Sequence, residues 1–466
     1  MVWVVVLGDQ LKAKNSKHYL FPDQETFDFI IVGGGTAGCV VANRLSEIRH
    51  WNVLVLEAGL EPPIESDIPE MEFNMYKTKY DWQYVTINDG IRHQGLQDGV
   101  VQWTRGKMLG GGSSINSMFY YRGKDQDYQT WYDERNPSWS PENGVEVDVN
   151  GKRKIFLSTI EVIISTGTVN TPQLLMLSGI GPEEHLLSKN IPCKINLPHV
   201  GHNLQDHLAI LIPIYADKPG PENKSERMFD VIKYLYNKTG YLAHSSVLNL
   251  GAFFSRYRDI NYPEFQSQTI VFRPNTTTAK TYLSTFKDDV RDSILRYNSK
   301  KALYMISLYV LHPFSRGVIF LNTSNPYDHP IIDANYYGDY RDLVSSVYGV
   351  KVISKLVNTP IFKSMNAFIP RIYLPQCDNY DFLSDAYWEC YAIQMTQTVF
   401  HPVGTAKMGL DPRNSVVNNF LKVHGVKKLR VIDASIMPYE TSGNTNGPVV
   451  MVGEMGSDMI KAEYLS

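Results

Sequence analysis

The sequence predicts an α/β chain in which a nucleotide-binding unit is joined to an α+β unit with an antiparallel sheet and flanking helices. Three observations carry this. First, an apolar run, a glycine-rich turn and an amphipathic stretch follow one another over residues 27–45, and a second apolar run ending in an acid comes next. Second, "EVIIS" leads into another turn and helical stretch at 165–181. Third, the middle of the chain carries β-branched and aromatic segments such as "SRGVIFLNT", residues 315–323, which suit a sheet. A length of 466 residues holds two or three domains' worth of mass.

Phe27 to Val32 reads as a buried strand. Gly33, Gly35 and Gly38 form G-x-G-x-x-G, with Thr36 and Ala37 between them, and Val40, Val41 and Leu45 mark one side of the following helix. Glycines permit a tight turn and close backbone approach, so a pyrophosphate can sit at the helix N-terminus. "WNVLVLEAG" supplies a second strand that ends in Glu57 and Ala58. Glu57 lies 19 residues after Gly38, where an acid accepts hydrogen bonds from ribose hydroxyls. A carboxylate there disfavours a 2′-phosphate, which leaves FAD and NAD. The unit is Rossmann-like.

"RGKMLGGGSSINSMFYYRG", residues 105–123, follows. As a flexible surface loop it would expose Met108, Leu109, Ile115 and Met118, so a buried glycine-rich segment passing close to a flat or charged ligand is expected. "STGTVNTPQLLMLSGIG" reads as strand end, turn and a helix beginning near Pro172, since proline suits a first helical turn, with Gly179 and Gly181 ending it. "RDLVSSVYGVKVISKLV" reads as a packing helix, and the 29 tyrosines as distributed between core and surface. In "VFHPVGTAKMG" a proline and a glycine hold His401, with no metal-ligand spacing around it. Taken alone it reads as a structural histidine in a turn.

The net charge of -3 argues against nucleic acid as a partner, because phosphate binding needs clustered Lys and Arg. No apolar run reaches the roughly 18 residues of a membrane span. The N-terminal run Val2 to Leu7 is shorter than a signal core and lacks a basic flank. Four N-x-S/T triplets, at Asn223, Asn237, Asn275 and Asn322, favour secretion. Cys377 and Cys390 are either two buried thiols or a disulfide closing a short loop in an oxidising compartment.

Four blocks in order resemble the glucose–methanol–choline oxidoreductases, and the insect glucose dehydrogenase-like members in particular. They are the fingerprint with Glu57, "GKMLGGGSSIN", "GTVNTPQLLMLSGIG" with "VGHNLQDH", and "HPVGT" with "LRVIDASIMPYETSGNTNGP". The resemblance spans nearly the whole chain from Phe27 and implies FAD, an alcohol or sugar substrate, and oxygen or a quinone-like electron acceptor. It implies that His401 is the base that takes the hydroxyl proton while hydride passes to flavin N5. An imidazole with a pKa near neutrality suits that task. It places Asn444 as the positioning partner, since an amide orients an oxygen but does not serve as a base. It also implies Arg105, Gly110, Gly111, Ser114 and Asn116 along the flavin, Asn446 and Pro448 by its ring, and Asp433 and Ala434 towards the ribityl and pyrophosphate. The run "GGGSSIN" departs from the commoner two glycines then two serines, with the residue count unchanged.

Against the family's length, a block on the order of 100 residues is absent after Ser140, where "GVEVDVNGKRKIFL" reads as the last hairpin of the lost part, with "NG" as its turn. That block would supply a central strand of the FAD sheet and part of one substrate wall. Two expectations follow: a working enzyme with a shortened FAD domain, or an inactive or incomplete form with weak FAD binding. The expected division is an FAD-binding part at 25–210, a substrate part at 211–400, and a returning FAD-binding part at 401–466 that carries the active-site residues.

Overall fold

The computed structural model describes residues 2–5, 24–121, 124, 127, 143–149, 152–217, 232–243, 250–256 and 262–465. The junction after Ser140 and the triplet at Asn223 lie outside these residues.

Two sheets organise the chain. The first contains β1 (Val2–Val5), β2 (Thr26–Val32), β3 (Val53–Leu56), β4 (Asn143–Val149), β5 (Lys152–Ile164) and a late strand, Leu429–Val431. Its order is β1-β4-β5-β2-β3, and the late strand lies beside the end of β5. The ladders β5–β2, β2–β3 and β5 with the late strand are parallel. Phe29, Ile30 and Ile31 are fully buried, which accounts for an apolar run without alternation. β4 and β5 form the expected hairpin, pairing from Asn143↔Ser158 to Val149↔Lys152. "EVIIS" is the end of a strand 13 residues long.

Among the described residues this sheet is continuous from β1 to β3. β3 pairs with β2 and, among the described residues, has no strand on its other side.

Helix α1 (Thr36–Ser46) follows β2 and buries Val41 and Leu45. Helix α2 runs from Gly167 to Leu177 and places Pro172 in its interior, a correction to the expected start near Pro172. The physical reason lies in a distant residue. Pro172 has no N–H for the Thr168 carbonyl, and the Thr405 hydroxyl bonds that carbonyl instead, at 2.6 Å.

The second sheet is antiparallel. It contains β6 (Leu208–Ala216), β7 (Leu250–Phe254), β8 (Phe265–Phe272), β9 (Ala302–Val310) and β10 (Gln397–Thr398), in the order β7-β8-β9-β6-β10. All of β6 is buried. Helix α3 (Tyr340–Ser354) packs on this sheet, and at Gly349 an added Cβ would stand 2.6 Å from Leu308. "SRGVIFLNT" contributes only Val318–Phe320, paired with Ile331–Asp333 in a ribbon outside the sheet. Helix α4 (Asp385–Met395) carries Cys390, which is joined to Cys377 in a disulfide with Cα atoms 5.6 Å apart. The late strand Leu429–Val431 becomes β11, and the chain ends in α5 (Asn446–Tyr464), packed along α1.

Candidate active site

A cavity of about 670 Å³ runs from the end of β2 to the antiparallel sheet. Gly33, Gly35, Thr36, Ala37, Glu57, Ala58, Arg105, Gly111, Asn116, Asp433, Ala434, His401, Asn444 and Asn446 all line it. Gly38, Gly110, Ser114 and Pro448 do not reach it. Gly38 serves the turn, because a Cβ there would meet the Gly33 carbonyl oxygen at 1.9 Å. Gly110 has φ +86°, and its N–H bonds the Gly34 carbonyl at 2.7 Å. Ser114 donates to the Leu109 carbonyl, and Pro448 is buried in the first turn of α5.

The cradle is a meeting of two glycine-rich segments. An added Cβ at Gly111 would come within 2.9 Å of Gly35 Cα, whereas one at Gly35 would meet no protein atom. Gly33 needs its φ of +101°, and a Cβ there would strike the Ser165 carbonyl. Of the apolar residues in the second segment, Met108 and Ile115 are buried, but Leu109 and Met118 are 39% and 49% exposed. The segment is therefore half-buried, with one side turned out.

Glu57 accepts from Gly34 N at 2.8 Å and Gly59 N at 2.7 Å, so each oxygen keeps capacity for another donor. Burial raises its proton affinity, and these backbone donors oppose the rise. Asp433 is more fully engaged. It accepts from Gly167 N, the Thr171 hydroxyl and Ser435 N, and so clamps the start of α2. Asn116 Oδ1 accepts from Met118 N. Arg105 has a buried Nη2 without a hydrogen-bond partner, beside a cavity that also holds His401. Open space at Gly35, spare carboxylate capacity at Glu57 and a free guanidinium donor are what a dinucleotide-type cofactor needs.

His401 is fixed from several directions. Its backbone N–H donates to Asp206 Oδ1 at 3.0 Å, and the Asp206 carboxylate also bonds the Tyr336 hydroxyl. The residue before it, Phe400, holds φ +63°, a strained backbone that its surroundings must impose. Pro402 accepts from the Thr168 hydroxyl at 2.7 Å. Asn444 Nδ2 lies 3.0 Å from His401 Nε2, and His207 Nδ1 lies 2.9 Å from His401 Nδ1. Burial, with the Arg105 charge, pushes the His401 pKa down to about 3, so the ring is neutral at ordinary pH. Asp206 is pushed up to about 6 by burial. His207 and Asp206 received no role from the sequence, although both stand in the quoted "VGHNLQDH".

A neutral imidazole facing an amide, at one side of a glycine-rich turn with room for a dinucleotide, is an arrangement compatible with a flavin-type oxidoreductase site. The family models agree. The model for the N-terminal part of GMC oxidoreductases matches residues 27–147 and 142–209, and that for the C-terminal part matches 313–453. The chain is 30% identical to an ecdysone oxidase of Bombyx mori, covering 94% of this chain and 82% of that protein. It is 31% identical to a glucose dehydrogenase [FAD, quinone] of Drosophila pseudoobscura pseudoobscura, covering 95% and 88%. Among solved structures, formate oxidase of Aspergillus oryzae shares the fold with a TM-score of 0.77, at 23% identity, covering 96% of this chain and all of that one.

This chain belongs to the GMC oxidoreductase family, FAD-dependent oxidoreductases that act on CH–OH donors. The alignment with the ecdysone oxidase extends over 564 residues, more than the 466 of this chain, and the N-terminal model breaks at 142–147. The first shows that the relative carries additional residues, and the second places a break of the family model where the sequence has its junction.

Proposed function

We propose that the chain oxidises the CH–OH group of a small alcohol or sugar, with His401 as the base and Asn444 as the positioning residue. The observation that carries this is a neutral His401 whose Nε2 is met by an amide at the wall of the cofactor cavity. The substrate oxygen enters between His401 Nε2 and Asn444 Nδ2. Asn444 holds the oxygen, and Nε2 takes its proton. FAD, when bound, supplies the hydride acceptor. Asp206, through the His401 backbone, and Thr168, through Pro402, hold the imidazole so that little reorganisation is needed.

Gly33, Gly35, Thr36, Ala37, Glu57 and Ala58 hold the nucleotide end. Arg105, Gly111, Asn116, Asp433, Ala434 and Asn446 line the rest. The FAD-binding part is then discontinuous, about 25–210 with 401–466, around a substrate part. Electrons leave to oxygen or a quinone-like acceptor. The disulfide and the exposed Asn237, Asn275 and Asn322 support an oxidising, secretory route.

The edge at β3 supports a second reading, a protein that holds FAD weakly or not at all. One experiment separates the two. Purified protein is mixed with FAD, desalted and scanned in the visible. Retained bands in the blue that bleach on adding an alcohol or sugar support the enzyme, and a protein that stays colourless sinks it.

A further inference from the structure

Behind His401 lies a second imidazole that the proposed chemistry leaves unused. His207 is fully buried, and its Nδ1 stands 2.9 Å from Nδ1 of His401. Beyond it, Glu440 Oε1 is 3.7 Å from His207 Nε2. Glu440 is buried as well; among the described residues no hydrogen bond of ordinary length reaches either of its oxygens or His207 Nε2, although the His207 backbone N–H acts on Glu440 and the Leu311 and Thr441 carbonyls act on His207. A carboxyl left in that state is costly, so its place at the end of a row of imidazoles needs a reason.

Counting protons supplies one. Two ring nitrogens in contact share one proton, so one donates and the other accepts. Asn444 Nδ2 donates to His401 Nε2, and Gln266 Nε2 donates to Asn444 Oδ1 at 3.4 Å, which supports that amide orientation. His401 Nε2 is therefore bare, and the ring's proton is on Nδ1, where His207 Nδ1 accepts it. The His207 proton is then on Nε2, on the side of Glu440; the Leu311 and Thr441 carbonyls also attract that ring's proton, and Glu440 can take it up only as a carboxylate. With Glu440 protonated, every proton in the row moves one place. The acid O–H serves His207 Nε2, His207 Nδ1–H serves His401 Nδ1, and His401 carries its proton on Nε2. In that form it cannot take one from a hydroxyl.

We propose that His401, His207 and Glu440 form a proton relay in which the charge on Glu440 sets which nitrogen of His401 is free. The inference rests on His401 being the base. When His401 Nε2 gains the hydroxyl proton, its Nδ1 proton passes to His207 Nδ1, and the His207 Nε2 proton passes to the Glu440 carboxylate. Each imidazole ends neutral with its proton on the opposite nitrogen, and the carboxyl holds the proton taken from substrate. Glu440 is a positioning residue that acts through His207. At 3.7 Å the last link is a charge contact that must shorten to pass a proton.

The surroundings fit a store that fills and empties. Burial, with the Asp206 and Asp342 charges, holds the Glu440 carboxyl well above the usual carboxylate range, against the pull of Arg316 and the His207 backbone N–H. His207 is held neutral by burial and by the neighbouring His401 and His312, against the carbonyls of Leu311 and Thr441.

The test reads ring nitrogens by NMR in protein labelled with ¹⁵N-histidine, across pH, with and without FAD. In the parent, His401 is expected to hold its proton on Nδ1 at high pH and on Nε2 at low pH. The reversal should coincide with the appearance of a buried carboxylic acid carbonyl band in the infrared. Glu440→Gln and Glu440→Leu should both lose the band and the reversal. In the flavin-loaded parent, the rate of flavin reduction should fall about tenfold per pH unit below that point. In both variants this fall should move to lower pH. A reversal that survives in both variants at the parent's pH, or a parent His401 protonated on Nε2 throughout, overturns the relay. A parent that never takes up FAD, yet shows the reversal and loses it in the variants, overturns the enzyme reading and leaves the proton row standing.

Discussion

The two ends of the cavity differ in how they are supported. At the His401 end, side chains and backbone from "VGHNLQDH", α2, the antiparallel sheet and the C-terminal block close on one imidazole. At the Glu57 end, the parallel sheet stops one strand after β2, and β3 has a single neighbour among the described residues. The described residues therefore enclose the His401 end more fully than the Glu57 end. The expectation is that proton transfer and cofactor retention can be lost separately.

The largest effect should come from breaking the cofactor end. Gly38→Val drives a side chain into the Gly33 carbonyl, and the expected outcome is complete loss of the blue absorption after FAD loading. His401→Ala should do the reverse. It should keep the bands and slow flavin reduction by substrate about 10²- to 10⁴-fold, read by stopped flow. If both variants lose FAD, the two ends are not independent and the comparison fails.

The disulfide belongs to neither end. Cys377→Ser should lower stability by about 3 kcal/mol in a denaturant titration, because it opens a short loop, while FAD retention stays as in the parent. The mildest test is acid. His401, His93 and His312 have folded pKa values lowered to about 3, 4 and 4 from 6.5, and His207 is lowered further below it. Depressed histidines contribute stability that is present above 6.5 and is lost as pH falls towards the folded values. Asp206, raised to about 6 from 3.8, has the opposite sign, since its contribution is present below 3.8 and lost as pH rises through 6. Four histidines lie on the losing side. Thermal melts should therefore fall between pH 6.5 and 4, and hydrogen exchange should increase first around His401 rather than around Glu57.

The glycine fingerprint was legible because its constraints are local. Strand, turn and helix follow each other within residues 26–46, and each glycine answers to a neighbour in the same loop or the next. His401 was legible through its block. What could not be read was anything set by a partner far along the chain. The start of α2 depends on Thr405, which supplies the hydrogen bond that Pro172 does not. The row His401–His207–Glu440 joins residues that sequence alone gives no reason to bring together. The length of β5 depends on β4 along its first half and β11 along its end, both on the edge away from β2.

The bond between the Thr405 hydroxyl and the Thr168 carbonyl, 237 residues apart, also bears on the order in which the protein takes shape. While the chain is being made, β2, α1 and α2 leave the ribosome long before β11 and α5. Until then α2 carries an unanswered carbonyl at its proline, and β5 lacks its C-terminal neighbour. Contacts of such wide sequence separation form late and slowly. The cavity lining is thus synthesised early and finished last, so a free pool of FAD meets a complete site only after residues 401–466 have folded back.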